Sequence, residues 1–265
     1  MIYCNLQGGL GNMFFQVATA ISFAHDLEVE PSFPNLSQHL KYLNDDNKHN
    51  PGLKHSFSYE AVLKGLSTKQ PEIGLPVFKF PFHYIMTDIT NNCIIDGFFQ
   101  SENYFAHNRQ VVGNRLCAPE HINKEIETKH GHRLKGKTTS IHVRRGDYVN
   151  HPNHHPVQTI EYYQKSIELV KDKTDTFLIF SDDIEWCKNN LNIDNSIYIE
   201  KERDYIELYL MAKCDNNIIA NSSFSWWGAW LNTNKEKVVI GPKKWFGTAI
   251  NESSEDILPD SWIKI

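Results

Sequence analysis

Apolar and polar positions in the second half of the chain predict strands that alternate with helices. Short apolar runs are each followed by a stretch in which apolar residues recur every three to four positions. The predicted strands are residues 139–143, 176–180, 196–199, 217–220 and 237–240, and the predicted helices are 159–171, 185–191, 204–214 and 224–231. Such alternation predicts a parallel sheet covered by helices on both faces.

The first half of the chain begins with the same pattern and then loses it. An apolar run at residues 1–6 meets Gly8, Gly9 and Gly11, and helically spaced apolar residues follow from Met13 to Ala24. Residues 31–81, rich in Asn, His, Lys and Pro, predict loops and short helices. Order returns with a predicted strand at 92–100 and a helix at 104–115.

A polar, glycine-containing stretch at residues 120–136 suits a boundary between domains. We therefore predict two domains, residues 1–135 and 136–265.

Composition narrows the class of protein. The chain has 265 residues, a net charge of −5 and 40% hydrophobic residues, which favours a globular protein and argues against a nucleic-acid surface. Five scattered cysteines without a C-x-x-C pair predict reduced, mostly buried thiols rather than a zinc site. No apolar window approaches the ~20 residues that span a bilayer, and residues 1–6 are too short for a signal peptide. We expect a cytoplasmic protein, with peripheral contact at the inner face of the membrane left open.

Polar clusters follow three of the predicted strands, at residues 144–147, 181–183 and 221–225. Parallel α/β sheets bind ligands at the carboxyl ends of their strands, so these clusters are expected to share one edge of the sheet.

Arg144 and Arg145 are the best candidates for binding a diphosphate, because the guanidinium group stays charged and its donors suit phosphate. Neighbouring strand residues point to opposite faces, so one arginine is expected to reach the anion. The other would pair with Asp147 or Asp183 inside the protein. The alternative is that both arginines form structural ion pairs.

The remaining clusters each have a structural alternative. Residues 221–225 precede a predicted helix, where free N–H groups attract anions, although Ser and Asn are also ordinary helix caps. Asp182 and Asp183 could accept hydrogen bonds from guanine, or one of them could cap the next helix. They lack the D-x-D pattern and a second acid cluster, so we predict no metal site. The glycines near the N-terminus have the wrong spacing for a dinucleotide fingerprint.

Four motifs together resemble the bacterial α-1,2-fucosyltransferases. They are GGLGNMFFQ at 8–16, HVRRGDY at 142–148, FSDD at 180–183 and NSSFSWWGAW at 221–230. The resemblance implies an α/β fold of the GT-B type, with two Rossmann-like domains whose parallel sheets are flanked by helices, and an active site in the cleft between the domains. It implies an acceptor-side N-terminal domain and a C-terminal domain that binds GDP-β-L-fucose. Met13 and Val17 depart from the family pattern, where glutamine and tyrosine are expected.

The resemblance also implies a reaction, the inverting and metal-independent transfer of L-fucose to the 2-hydroxyl of a terminal β-galactoside on a glycan. No cofactor is expected. The alternatives are a related transferase that uses another GDP-sugar, and a glycan-binding module without catalysis.

Roles follow for the residues that match the motifs. Arg144 would contact the β-phosphate, and Asp147 is the candidate general base, with His155 in reserve. The other residues expected to bind the sugar nucleotide are His142, Arg145, Asp182, Asp183, Ser222, Ser223 and Phe224. Asn12 and Gln16 would lie on the acceptor side.

Overall fold

The computed structural model describes residues 1–45 and 59–265, which form two compact units. The first unit comprises Met1–Cys117 and Glu252–Pro259, and the second comprises Ala118–Asn251 and Asp260–Ile265. The division therefore falls after Cys117 and not after residue 135, as the composition had suggested. The acceptor and sugar-nucleotide roles of the two domains stay predictions.

The observed boundary differs from the predicted one because residues 120–136 do not connect the two units. They contain helix α5, Glu120–His130, which buries Ile122 and Ile126 and belongs to the second unit. Its last turn contacts Glu202, whose carboxylate lies 3.1 Å from His130 Nε2. A polar sequence here reflects a helix with one wide solvent-exposed face.

The first unit contains a four-stranded parallel sheet in the order β2-β1-β4-β3. Its elements are β1 Ile2–Cys4, α1 Leu10–Asp26, β2 Pro31–Ser32, α2 Leu36–Asp45, α3 Glu60–Leu63, β3 Val77–Lys79, β4 Cys93–Asp96 and α4 Arg109–Leu116. Helix α1 is almost wholly buried, and Met13 and Val17 both lie in the core. The two departures from the family pattern are therefore interior substitutions. The part of the weakly patterned segment that falls in 46–58 lies outside the described residues.

The second unit contains a six-stranded parallel sheet in the order β10-β9-β8-β5-β6-β7. Its elements after α5 are β5 Thr138–Val143, α6 Ile160–Glu168, β6 Thr176–Ser181, α7 Ile184–Asn190, β7 Ser196–Tyr198, α8 Asp204–Ala212, β8 Asn216–Ile218, α9 Ser223–Trp230, β9 Val239–Gly241 and β10 Ile263–Lys264. This is the doubly wound order of a Rossmann sheet, with its switch of direction between β5 and β8. The predicted α/β class with parallel sheets is confirmed.

Strand β5 is the central strand of the second unit, and all six of its residues are buried. Ile141 and Val143 pack with Ile179 and Tyr163 on one face. The three tryptophans of α9 are buried as well and belong to the core. A strand buried on both faces lets only the residues after its last position reach solvent, and in β5 that position is Val143.

The cysteines follow the expectation from composition. Cys4, Cys93, Cys187 and Cys214 are buried, Cys117 is exposed, and all five are free. Across residues 1–45 and 59–265, no helix is both long and apolar enough to cross a bilayer.

Candidate active site

The switch of direction between β5 and β8 brings two of the predicted clusters together. Ile141 of β5 pairs with Ile218 of β8, so the segments that follow these strands start side by side. The hydroxyl of Tyr148, after β5, donates a hydrogen bond of 3.1 Å to the carbonyl of Asn221, after β8. The crevice outside such a switch is where open α/β sheets bind ligands.

Arg144 lies at this crevice between two carboxylates. Its Nη2 donates to Asp147 Oδ1 at 2.7 Å, and its Nη1 lies 3.0 Å from Asp182 Oδ2. Burial opposes the charge of the guanidinium, but Asp182 and Asp147 outweigh burial and raise the pKa of Arg144. The side chain is 24% exposed, and that of Asp147 is 43% exposed. Arg144 is therefore a permanent cation that a ligand can approach from the side of Asp147.

Arg145 has a different set of partners from Arg144. Its Nε donates to Asp183 Oδ2 at 3.0 Å, and its guanidinium carbon lies 4.0 Å from the centre of the Trp186 ring. Asp183 also caps α7, because its Oδ1 accepts from the backbone N–H of Trp186. Both arginines thus form ion pairs, Arg144 with Asp147 and Asp182 and Arg145 with Asp183.

Asp182 organises the turn that carries the arginines. Its Oδ1 accepts from the backbone N–H of Arg145 at 2.9 Å, while its Oδ2 makes the ionic contact with Arg144 without hydrogen-bond geometry. A Cβ on Gly146 would lie 2.5 Å from that Oδ2. Glycine at 146 therefore lets the carboxylate approach the backbone and orient Arg144.

His142 of β5 lies beside the helix that follows β8. Its ring centre lies 5.5 Å from that of Phe224 in α9. Burial, together with the charge of Arg144, lowers the pKa of His142 to about 3, so the imidazole is neutral. Its Nδ1 is buried and has no hydrogen-bond partner within the described part of the chain. His142 can therefore offer a ligand an uncharged hydrogen-bonding ring.

The start of α9 presents hydrogen-bond donors at the same edge. Ser222 occupies the N-cap position, but in the described structure its side chain makes no capping hydrogen bond. The first-turn N–H groups, including those of Ser223 and Phe224, are thus left for another acceptor. Asn221 holds this turn in place, since its Nδ2 donates to the carbonyls of Pro156 and Trp245 at 3.0 Å each.

The two candidate bases have different surroundings. Asp147 accepts from Arg144 and is half-exposed. His155 stacks on Tyr148 with ring centres 4.8 Å apart, and burial lowers its pKa although Asp147 acts in the opposite direction. Both residues thus lie next to Arg144 or to the tyrosine that Arg144 covers.

One further acid of the second unit belongs to none of the predicted clusters. Glu207 lies in the first turn of α8, where burial and the charges of Asp204, Glu202 and Asp182 raise its pKa well above the ordinary range. Burial and these three carboxylates therefore all favour the uncharged form of Glu207. The acid-rich stretch from 200 to 207 is the only signal that could have indicated it.

In the first unit, the predicted acceptor-side residues lie at the start of α1. Asn12 Oδ1 accepts a hydrogen bond from Gln100 Nε2 at 3.0 Å. Gln16 is fully buried. Its side-chain oxygen accepts a hydrogen bond from Gln7 N, and its side-chain nitrogen donates one to Gly97 O. Gln16 holds two loops together, while Asn12 is half-buried. Their roles toward an acceptor stay predictions.

Comparison with known proteins identifies the family. The model of glycosyl transferase family 11 matches residues 82–265. The chain belongs to this family. It is therefore a glycosyltransferase, as predicted, and the alternative of a module without catalysis is set aside.

Two relatives match this family 11 enzyme over its full length. It is 30% identical to the O-antigen biosynthesis glycosyltransferase WbnK of Escherichia coli, with 100% of both chains covered. It is also 30% identical to an α-1,2-colitosyltransferase of Escherichia coli, over 100% of this chain and 99% of that one. A galactoside 2-α-L-fucosyltransferase of Caenorhabditis elegans is 28% identical over 65% of this chain and 52% of its own.

Solved structures show the fold. NodZ α-1,6-fucosyltransferase, soaked with GDP-fucose, aligns with a TM-score of 0.54 and 13% identity over 87% of this chain and 92% of its own. POFUT1 in complex with GDP aligns with a TM-score of 0.51 and 11% identity over 90% of this chain and 97% of its own. The predicted GT-B class is confirmed.

Proposed function

We propose that the protein transfers L-fucose from GDP-β-L-fucose, with inversion, to the 2-hydroxyl of a terminal β-galactoside. The observation that carries the proposal is that the turn after β5, which contains Arg144, and the uncapped start of α9 meet at the switch point of the second sheet. A cation and helix N–H groups at one crevice suit a diphosphate. The names of the colitosyltransferase and of the C. elegans relative share a 1,2 linkage, which supports the proposed position of attack.

In this proposal the protein's own charges stabilise the leaving group, and no divalent metal is needed. Negative charge grows on the β-phosphate as the bond to fucose breaks. Arg144 and the N–H groups at the start of α9 are fixed before the reaction and would stabilise that charge. Such preorganised donors contribute about 3 kcal/mol each when they are removed singly in other enzymes.

Asp147 is the proposed general base. Its carboxylate now pairs with Arg144 Nη2 at 2.7 Å. A diphosphate that binds Arg144 would compete with this ion pair and free the carboxylate to accept the proton of the incoming hydroxyl. The same residue would thus exchange an orienting role for a proton-accepting one when the sugar nucleotide arrives.

Colitose is the second candidate sugar. The α-1,2-colitosyltransferase is a full-length relative at the same 30% identity as WbnK. Colitose differs from fucose by the loss of the 3-hydroxyl, so discrimination depends on one hydrogen-bonding group. A site that bonds a hydroxyl rejects the analogue that lacks it far more strongly than an apolar site rejects an added hydroxyl.

The test is a transfer assay with GDP-fucose, GDP-colitose and GDP-mannose, each against a panel of β-galactosides and in excess EDTA. We expect a kcat/KM for GDP-fucose about tenfold or more above the others, and NMR of the product should show an α-linkage to O2 of galactose. A preference for GDP-colitose would replace the proposed sugar by the second candidate. Absence of transfer from every sugar nucleotide would refute the proposal, and loss of activity in EDTA would refute its metal-free form.

The same assay tests Asp147. Asp147→Asn keeps an oxygen that accepts from Arg144 but removes the basicity, so kcat should fall by about 10² or more while GDP affinity changes little. Asp147→Asn with wild-type kcat would show that the base lies elsewhere.

A further inference from the structure

In the first unit, a second polar edge lies at the adjacent carboxyl ends of β1 and β4. These strands are parallel neighbours, with Cys4 opposite Ile95. The loops that follow them are held together by Gln16, whose Oε1 accepts from Gln7 N at 3.0 Å and whose Nε2 donates to Gly97 O at 3.3 Å. The segment that opens α1 and the segment at 97–100 are therefore one rigid edge.

Helix α1 begins at this edge without a capping side chain. Gly9 is its N-cap residue, and the first turn carries no acid. Gly8 has a φ of +75°, and a Cβ there would lie 2.5 Å from Asn12 Nδ2, so the Asn12 amide lies directly over the glycine turn. The N–H groups of the first turn of a 17-residue helix are thus available to an outside acceptor.

Gln100 lies beside this helix start and is only 6% exposed. Its Nε2 donates to Asn12 Oδ1 at 3.0 Å, which fixes the amide. Its Oε1 is buried and has no hydrogen-bond partner among the residues that the structure describes. A buried acceptor without a hydrogen bond lowers the stability of the folded protein. We therefore expect this oxygen to accept a hydrogen bond from a donor outside the chain.

The backbone before Gln100 is held in an unfavourable conformation. Phe99 has a φ of +52°, in the left-handed region that a bulky residue rarely adopts. Its ring is buried against Phe80 and Tyr104, at centre distances of 5.1 and 5.4 Å. Packing of the Phe99 ring therefore sets the direction of the Gln100 side chain. Backbone strain of this kind is common where a functional side chain must be held in one orientation.

We propose that Gln100 is an acceptor-recognition residue whose Oε1 accepts a hydrogen bond from a hydroxyl of the acceptor sugar at the start of α1. The inference rests on the proposed function. A hydroxyl can donate to Gln100 and accept from the N–H groups of α1 at the same time. An ionised phosphate cannot donate, and an ammonium group cannot accept from the helix, so an uncharged polyol fits both partners.

The test compares Gln100→Met with Thr19→Val as a matched control. Both variants remove a buried oxygen that has no partner in the described structure, but Thr19 lies in the middle of α1. With the best β-galactoside of the panel above, Gln100→Met should raise the acceptor KM about 3- to 10-fold and leave the KM for the sugar nucleotide and the GDP affinity unchanged. Thr19→Val should leave the acceptor KM unchanged.

Deoxygenated acceptors identify the hydroxyl. One monodeoxy galactoside should lose affinity toward the wild type and lose no more toward Gln100→Met, because the same bond is already missing. An unchanged acceptor KM in Gln100→Met, with wild-type transfer activity, would overturn the inference and leave the proposed function intact. Equal rises in the KM for both substrates would show a structural role and would also overturn it.

A binding measurement separates this inference from the proposed function. In protein labelled with ¹⁵N-glutamine, the side-chain amide signal that disappears in Gln100→Met is that of Gln100, and it should shift when lactose is titrated. A shift without any transfer activity would support the hydroxyl site and refute the transferase proposal. Lactose that leaves this signal unmoved would overturn the inference.

Discussion

At the residue scale, Arg144 and Arg145 are chemically identical neighbours with different surroundings. Arg145 is closed in by Asp183 and the Trp186 ring, so an incoming anion would have to displace a packed side chain. Arg144 forms an ion pair with Asp147, whose side chain is 43% exposed. Replacing that carboxylate by a phosphate costs little, because a half-exposed ion pair contributes about 1 kcal/mol or less.

Glu207 gives a residue-scale prediction about pH. Its folded pKa is raised above the ordinary value of 4.5 by burial and by Asp204, Glu202 and Asp182. The stability that comes from the protonated folded form is complete below about pH 4.5 and is lost as the pH rises through the folded pKa. Glu207→Gln removes this titration, so its free energy of unfolding should exceed that of the wild type by a margin that grows from about pH 5 to about pH 8.

Urea unfolding across that pH range measures the margin. Glu236→Gln is the control, because Glu236 is an exposed acid of the same unit. If Glu207→Gln followed the wild-type pH dependence, the carboxyl would be ionised in the folded protein and the prediction would be wrong.

The candidate site shows what motifs can reveal at this scale. The arginines, Asp147 and the serines of the α9 turn stand in motifs, so their positions were predicted. Glu207 and Gln100 have no motif, because their properties depend on burial and on groups that folding brings near. Asp182, which follows β6, contributes to the raised pKa of Glu207 in α8. Asn12 and Gln100 form a hydrogen bond although 88 positions separate them in the sequence.

At the element scale, the turn after β5 depends on close contact between a backbone and a carboxylate. Gly146→Ala would place a Cβ 2.5 Å from Asp182 Oδ2, and that carboxylate is already held by Arg144 and by the backbone of Arg145. We expect a stability loss of about 1–3 kcal/mol and a GDP affinity reduced about tenfold, because the orientation of Arg144 is lost.

Gly113→Ala is the control for this prediction. Gly113 lies within α4 and a Cβ there would meet nothing within 4 Å, so alanine should be neutral or stabilise the protein by up to about 1 kcal/mol. Calorimetric titration with GDP and thermal unfolding measure both effects. Wild-type GDP affinity in Gly146→Ala would show that Asp182 does not orient the arginine for the ligand.

Elements with a strong apolar period were predicted, and the shortest ones were not. The five strands and four helices expected in the second half are all present. The two-residue strands β2 and β10 are too short for alternation to show, and β3 lies at a sheet edge with its outer residues exposed. The polar stretch at 120–136 predicts a domain boundary, but it contains α5, in which Ile122 and Ile126 are spaced as on one helix face.

At the scale of the whole molecule, each unit presents polar groups where the carboxyl ends of neighbouring strands meet. In the second unit the groups come from the ends of β5, β6 and β8, and in the first from the ends of β1 and β4. The parallel sheets could be predicted from the alternation of strands and helices. The strand order could not, because it depends on pairings between segments far apart in the chain, and it is this order that places Arg144 beside α9.

The central claim is that Arg144, and not Arg145, holds the diphosphate of the sugar nucleotide. Calorimetric titration of GDP into the wild type, Arg144→Ala and Arg145→Ala tests it most directly, with thermal unfolding of each protein as the check on folding. We predict that Arg144→Ala weakens GDP binding by about 30- to 100-fold with a melting temperature close to that of the wild type. Arg145→Ala should mainly lower stability, because its packing on Trp186 and its pair with Asp183 are lost. GDP binding to Arg144→Ala with wild-type affinity would contradict the account.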